Sequence, residues 1–230
     1  MKKMRILAVC AIAVLATMNV KAQFATGADI VSSYVWRGFP QESTKGTPNI
    51  QPFVSFTTGG LTLGSWASSS LLGNVKEVDL YATYAFSSQF AATLTDYNWG
   101  FSSTKGYFDY SATTDHIYEL TLAYTGTEKF PISLSVNSML MGADKTTSGD
   151  QAISTYIEAG YQISPLAKVF AGGLISSGSA YGYAATGLTN VGVKISKSIA
   201  ITDKFSLPVY GILGANPATG NAFFVAGITL

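Results

Sequence analysis

Beyond residue 22 this chain of 230 residues contains no cysteine, because its single one is Cys10, and it has one histidine, His116. Disulfide frameworks, thiol nucleophiles and cysteine-ligated metal sites are thereby excluded from residues 23–230. Charge is also scarce: Asp, Glu, Lys and Arg make up 12% of the residues, 14 basic against 13 acidic. That balance lacks the basic footprint of a nucleic-acid binder. Long apolar runs are missing after residue 22, where no stretch carries the roughly 18 uninterrupted apolar residues that a membrane helix needs. Yet 47% of the residues are hydrophobic and the mean hydropathy is +0.27. An apolar chain without a membrane helix carries its apolar residues in a period of two.

The first 22 residues predict a secretory signal peptide. Lys2, Lys3 and Arg5 form a basic start, residues 6–18 an apolar core, and Val20-Lys21-Ala22 offers small residues at the cleavage positions, so the cut falls before Gln23. Cys10 has Val9 directly before it and apolar residues after it, a poor context for lipidation, and it leaves with the leader. Residues 23–230 then form a single, mildly acidic domain, since Lys2, Lys3, Arg5 and Lys21 go with the leader.

That domain predicts twelve strands with alternating apolar and polar residues, at 29–39, 49–58, 61–69, 77–86, 90–101, 115–124, 131–141, 152–163, 168–176, 189–197, 205–213 and 222–230. The clearest is 77–86, where Val78, Leu80, Ala82, Tyr84 and Phe86 face away from Glu77, Asp79, Tyr81 and Thr83. The joins at 40–48, 102–114, 142–151, 177–188 and 214–221 are long and polar; those at 59–60, 87–89, 125–130, 164–167 and 198–204 are shorter. An even strand count with alternately long and short joins predicts an all-β fold, a transmembrane antiparallel up-and-down barrel of the bacterial outer membrane. A soluble sandwich explains the alternation but not the loop asymmetry. The last strand ends in Phe224, Ala226, Ile228 and Leu230 on one face, the kind of segment by which the barrel-insertion machinery recognises its clients.

Aromatic residues are expected at the two membrane interfaces. Tyr34, Trp36, Tyr97, Trp99, Phe101 and Tyr118 fit an outer girdle, and Tyr84, Phe86, Tyr124 and Phe205 an inner one. By alternation Asp29, Arg37, Glu77, Asp79, Asp96, Glu119, Glu158, Lys168 and Lys194 face inward. Arg37, Glu77, Asp79, Asp96, Glu119, Glu158 and Lys194 are the candidates to line the lumen, with an electrostatic role. Two readings of them stand side by side: an internal network that braces the barrel, or a polar passage in which surplus carboxylates favour cations. Small inward residues (Ser55, Thr83, Ala92, Ser133, Ser135, Gly160, Gly192) leave space, while Phe53, Tyr81 and Tyr156 take some of it.

Ser33-Tyr34-Val35-Trp36-Arg37-Gly38-Phe39, Trp66-Ala67-Ser68, Glu77-Val78-Asp79-Leu80-Tyr81-Ala82 and Asp96-Tyr97 resemble the successive signatures of the TorF-type porins, a family of small outer-membrane proteins. The resemblance covers the first half of the chain and continues as strand pattern in the second. Asn98-Trp99-Gly100 stands where a Tyr-Pro pair is expected. The family implies passive transport without naming a cargo.

The expected function is therefore porin-like passage of small solutes or ions, with outer-membrane lipid as surroundings and neither cofactor nor metal. A non-conducting structural or adhesive barrel acting through its surface loops is the alternative, and loop 102–114 is its longest and most aromatic loop. An outer-membrane lipid hydrolase is the third reading. It would need His116, outward at the top of strand six, to serve Ser138, outward near the top of strand seven. Asn137 points the other way and there is no second histidine, so no catalysis is expected.

Overall fold

A computed structural model describes residues 22–42, 46–72, 76–99, 106–111 and 114–230, so the expected leader, with Cys10, lies outside the described residues. The strands are β1 (Gln23–Val31), β2 (Val35–Trp36), β3 (Phe39–Pro40), β4 (Asn49–Thr58), β5 (Leu61–Ser70), β6 (Lys76–Ala85), β7 (Phe90–Asn98), β8 (His116–Tyr124), β9 (Ile132–Gly142), β10 (Thr155–Ser164), β11 (Ala167–Ser176), β12 (Gly187–Thr202), β13 (Phe205–Asn216) and β14 (Asn221–Thr229). All except β2 and β3 form one closed antiparallel barrel of twelve strands, each bonded to its neighbours in the chain, with β1 closing on β14. Closure leaves no unpaired edge, the condition for strands to cross a bilayer.

Alternation gives the wall its two faces. Leu80, Leu122, Leu134, Leu213 and Phe224 stand 40–62% exposed on the outside, while Glu77, Glu119 and Asn137 on the opposite faces of their strands are buried. The wall is thus apolar outside and polar inside, the architecture of a membrane β-barrel. Connections at one end are short, at 59–60, 86–89, 125–131, 165–166 and 203–204, and those at the other are mostly longer. β12 and β13 run beyond their expected limits, which shrinks the join expected at 198–204 to 203–204. At the short-turn end Tyr84 packs against Phe86 (centroids 5.2 Å apart) and Phe90 against Tyr124 (4.9 Å), and Phe205, which follows the short turn at 203–204, is exposed at the same end, as an inner girdle would have them.

Two expectations are corrected. The first barrel strand is Gln23–Val31, paired along its whole length with β4, and not 29–39. Residues 32–40 leave the wall and turn inward through the small β2–β3 hairpin, where Arg37 has φ 53° and Gly38 φ 86°. Left-handed backbone at two successive residues cannot continue a strand. Trp36 and Tyr34 therefore do not belong to an outer girdle. The second correction concerns β7, whose faces are the reverse of those expected. Asp96 pairs with Leu80 and Tyr118, both outward, so Asp96 and Ala92 face out while Tyr97 faces in. Leu94 and Phe90, exposed on the same face as Asp96, hold that register against the lipid.

The seam between β1 and β14 is short. Asp29, Ile30 and Val31 pair with Thr229, Ile228 and Gly227, and backbone bonds from Ala28 to Leu230 and from Ser32 to Ala226 extend it by one step each way.

Candidate functional site in the barrel lumen

The upper lumen, at the end with the long loops, is filled by the inward turn. Trp36 stacks on Tyr181 (4.9 Å, 16° between planes) and meets Tyr97 and Trp99 edge-on at 6.0 and 5.6 Å. Tyr181 belongs to a single 3-10 turn, Ser179–Tyr181, and packs with buried Ile117, Met139, Tyr156 and Leu174. This is an apolar core inside a polar tube. The 3-10 turn is anchored by Asp144, fully buried, which accepts from Ser154 N–H (2.8 Å), Ser154 hydroxyl (2.9 Å) and Ala180 N–H (3.3 Å). Loops 143–154 and 177–186 are thereby tied to each other beside the plug.

Arg37 is the pivot of the plug. Its Nη1 and Nη2 donate to Glu119 Oε2 and Oε1 at 2.6 and 2.7 Å, a bidentate pair, and Nη1 also donates to Tyr181 Oη at 2.5 Å. The guanidinium lies 4.5 Å from the Trp36 ring centre and 5.0 Å from that of Tyr156. Glu119, 1% exposed, accepts further from Tyr97 (3.1 Å) and Thr121 (3.2 Å). Such a buried carboxylate is tolerated because a planar cation and two hydroxyls satisfy it. Gly38 lets the turn approach β12: a Cβ there would stand 2.0 Å from the Thr189 carbonyl oxygen. Asn216 Nδ2 donates to the Gly38 carbonyl at 3.3 Å.

The other lumen candidates distribute along the barrel. Glu158 accepts from Tyr156 Oη at 2.6 Å and Asn190 Nδ2 at 3.1 Å. Glu77 and Asp79 are buried side by side on the inner face of β6, 1% and 5% exposed, at the same end as the plug. Lys194 lies lower, its Nζ 4.4 Å above the Tyr210 ring. A cavity of about 160 Å3 lies between the turn and the β12–β14 wall, lined by Ser33, Arg37, Gln51, Asn190 and Tyr210 among others. Tyr210 also lines a space of about 470 Å3 beyond it with Asp29, Lys194 and Ser196.

Inward glycines do not leave the room that alternation alone suggests, because rings from neighbouring strands lie over them. A Cβ on Gly64 would stand 2.3 Å from Tyr81, on Gly172 2.1 Å from Tyr156, on Gly192 2.7 Å from Phe170, and on Gly227 2.2 Å from Tyr210. The glycines are the seats of the rings.

Asp96 is absent from this lumen set. It lies on the outer wall with His116, whose Nδ1 is 2.6 Å from Asp96 Oδ1 and whose Nε2 is 2.6 Å from the Tyr107 carbonyl oxygen. Residues 106–111 fold over the pair, so His116 is 1% exposed although it faces outward, and Tyr110 donates to Asp96 at 3.2 Å. Burial, with Asp96 beside it, pushes the Tyr110 hydroxyl up to about 12, so it remains a donor at neutral pH. The described part of loop 102–114 therefore lies on the outer wall, and it is segment 32–40 that occupies the upper lumen. Ser138 Oγ is 3.1 Å from Thr155 Oγ1 on the outer wall and shares no hydrogen bond with His116 among the described residues.

Sequence reasoning missed the seats of Tyr181 and Asp144, which lie in loops without alternation; the Tyr-x-x-Arg-Gly run was the available signal for the turn itself. No protein-family model matches the chain, and no curated protein is significantly similar to it.

Proposed function

We propose that this protein is an outer-membrane barrel for passive passage of small solutes or ions, with a narrow polar lumen and segment 32–40 as its constriction. The observation that carries this reading is the cavity beside Arg37, walled by Gln51 and Asn190, which shares Tyr210 with the space below it. One inward turn and one ring thus stand between polar spaces on the lumen side of the wall. The resemblance to TorF-type porins supports the same reading. Arg37 ties the turn to Glu119 and Tyr181, while Trp36 stacks on Tyr181 beside it, so removing the guanidinium loosens one side of the constriction. Planar-bilayer recording of the purified chain is the test: brief openings of small conductance are expected from the wild type, and a higher open fraction from Arg37→Ala. Silence from both variants, with the barrel shown folded by its gel mobility before and after heating, overturns the reading.

A silent folded barrel would favour a non-conducting role through the surface loops. The rings seated on Gly64, Gly172, Gly192 and Gly227 and the interlocked loops 143–154 and 177–186 support that second reading. We assign no hydrolytic role: both His116 ring nitrogens are engaged, by Asp96 and by the Tyr107 carbonyl, and neither contact is to a serine.

A further inference from the structure

Toward the short-turn end of the lumen, inward side chains of β1, β14, β13 and β12 converge. Register sets Asp29 of β1 beside Thr229 of β14, and Tyr210 of β13 beside Ser196 of β12; Lys194 is the next inward residue of β12. These side chains surround a space of about 470 Å3, to which Pro208 and the turn residues Pro165 and Leu166 add an apolar border. Asp29, Lys194 and Tyr210 are all half-buried there.

One fixed positive charge and one fixed negative charge share this space around a single ring. Lys194 Nζ stands 4.4 Å over the Tyr210 ring, and the Tyr210 hydroxyl donates to Asp29 Oδ2 at 3.4 Å. The ring is seated on Gly227, where a Cβ would stand 2.2 Å from it, and Asp29 Oδ1 accepts from Thr229 at 2.7 Å. The ammonium and the carboxylate do not close into an ion pair: among the described residues the ion pairs are Arg37–Glu119 and His116–Asp96. Other lysines point elsewhere. Lys168, cross-strand partner of Lys194, leans over Gly160 into a separate space that holds Glu128, and Lys197 springs from the outward face of β12, beside Val209. A solute of one charge answers only one of the two groups, whereas a dipolar solute makes a charge-assisted hydrogen bond at each end. The ring and the proline–leucine border take an apolar body, as ligand pockets with a few placed polar groups do.

We infer that Asp29, Lys194 and Tyr210 form a binding site for a small zwitterion of the α-amino acid class with an apolar side chain. The solute carboxylate accepts from Lys194, with the Ser196 hydroxyl beside it, and the solute ammonium donates to Asp29. The site rests on the reading of the lumen as a water-filled passage and gives that passage a solute class.

The test is a calorimetric titration of the purified full chain, folded in non-ionic detergent, with L-valine and with its singly charged analogues isovalerate and isobutylamine. Saturable binding of L-valine is expected for the wild type, with each analogue about tenfold or more weaker, because each lacks one charge-assisted hydrogen bond. Asp29→Asn is expected to abolish the preference for L-valine over isovalerate, and Lys194→Gln the preference over isobutylamine; a merely structural role for either residue would leave both preferences in place. Lys168→Gln, which alters only the neighbouring space, is expected to bind L-valine as the wild type does. Absence of saturable L-valine binding in the wild type, equal binding of the three probes, or an unchanged preference in either variant overturns the site. The readout needs no ion flux, so a barrel silent in bilayers that binds L-valine with these preferences refutes passage alone, and a conducting barrel that ignores L-valine refutes the site alone.

Discussion

At the scale of single residues, Arg37 holds the most consequence. Removing it leaves Glu119, 1% exposed, with only Tyr97, Thr121 and no cation, and breaking a buried ion pair from one side costs about 3–5 kcal/mol. Arg37→Ala is therefore expected to lower the urea midpoint of the folded barrel, whereas Arg37→Met combined with Glu119→Leu restores most of the loss, because no charge is then stranded. Equal midpoints for Arg37→Ala and wild type would show that the pair is not buried in the membrane-bound protein. Gly38→Ala is expected to unseat the same turn by a different route, through the clash with the Thr189 carbonyl and the positive φ. Its signature is quenched stacking of Trp36 on Tyr181, readable as a shift in tryptophan emission. Arg37 was legible in the sequence as an inward charge but not as a turn. Tyr34 and Trp36 alternate like strand residues, and a left-handed arginine has no compositional mark; only the following glycine hints at it.

At the scale of elements, the strand faces are the quantities to challenge. Leu134 faces out and Ser135 faces in, paired with Glu158. Leu134→Arg places a cation on the lipid side at a cost of about 2–4 kcal/mol near the midplane, so it is expected to insert poorly into bilayers, while Ser135→Arg folds; equal yields of heat-modifiable barrel would break the face assignment. The same logic explains why β7 was misread. Its only charge, Asp96, suggested an inner face, but near a strand end an acid can face outward when hydrogen-bond partners cover it, and His116 with loop residues 106–111 does so. His116→Ala is expected to release that cover and speed chymotryptic cleavage at Phe108, which is 81% exposed; unchanged digestion would mean the loop is held otherwise. Alternation identifies which residues point inward, but it is blind to a ring leaning onto the glycine of the next strand, so the filling of the lumen was not legible.

At the scale of the whole molecule, strand number and closure were readable because they are repeated a dozen times and the bilayer permits few alternatives. The plug was not, because Arg37, Glu119 and Tyr181 are separated by 82 and 144 residues and meet only once the wall has closed. The proposed function rests on that meeting more than on the wall. In current–voltage recordings of a conducting wild type in symmetric salt, the sorting of Glu77, Glu119 and Glu158 toward the long-loop end and of Lys168 and Lys194 toward the short-turn end predicts rectification, with current larger at one polarity than at the other. Glu158→Gln at the acidic end is expected to reduce it, and linear current–voltage curves for both proteins would argue against a sorted lumen.

The brief seam between β1 and β14 also sets a clock. Every other strand pairing joins near neighbours in the chain, but Asp29 finds Thr229 across 200 residues, and contacts of such separation form late because the intervening chain must first be ordered. With Asp29–Val31 as its paired core, the seam is the last part of the wall to assemble and the first to breathe. Amide hydrogens at Ile228 and Ala28 are where the assembled barrel should first admit deuterium.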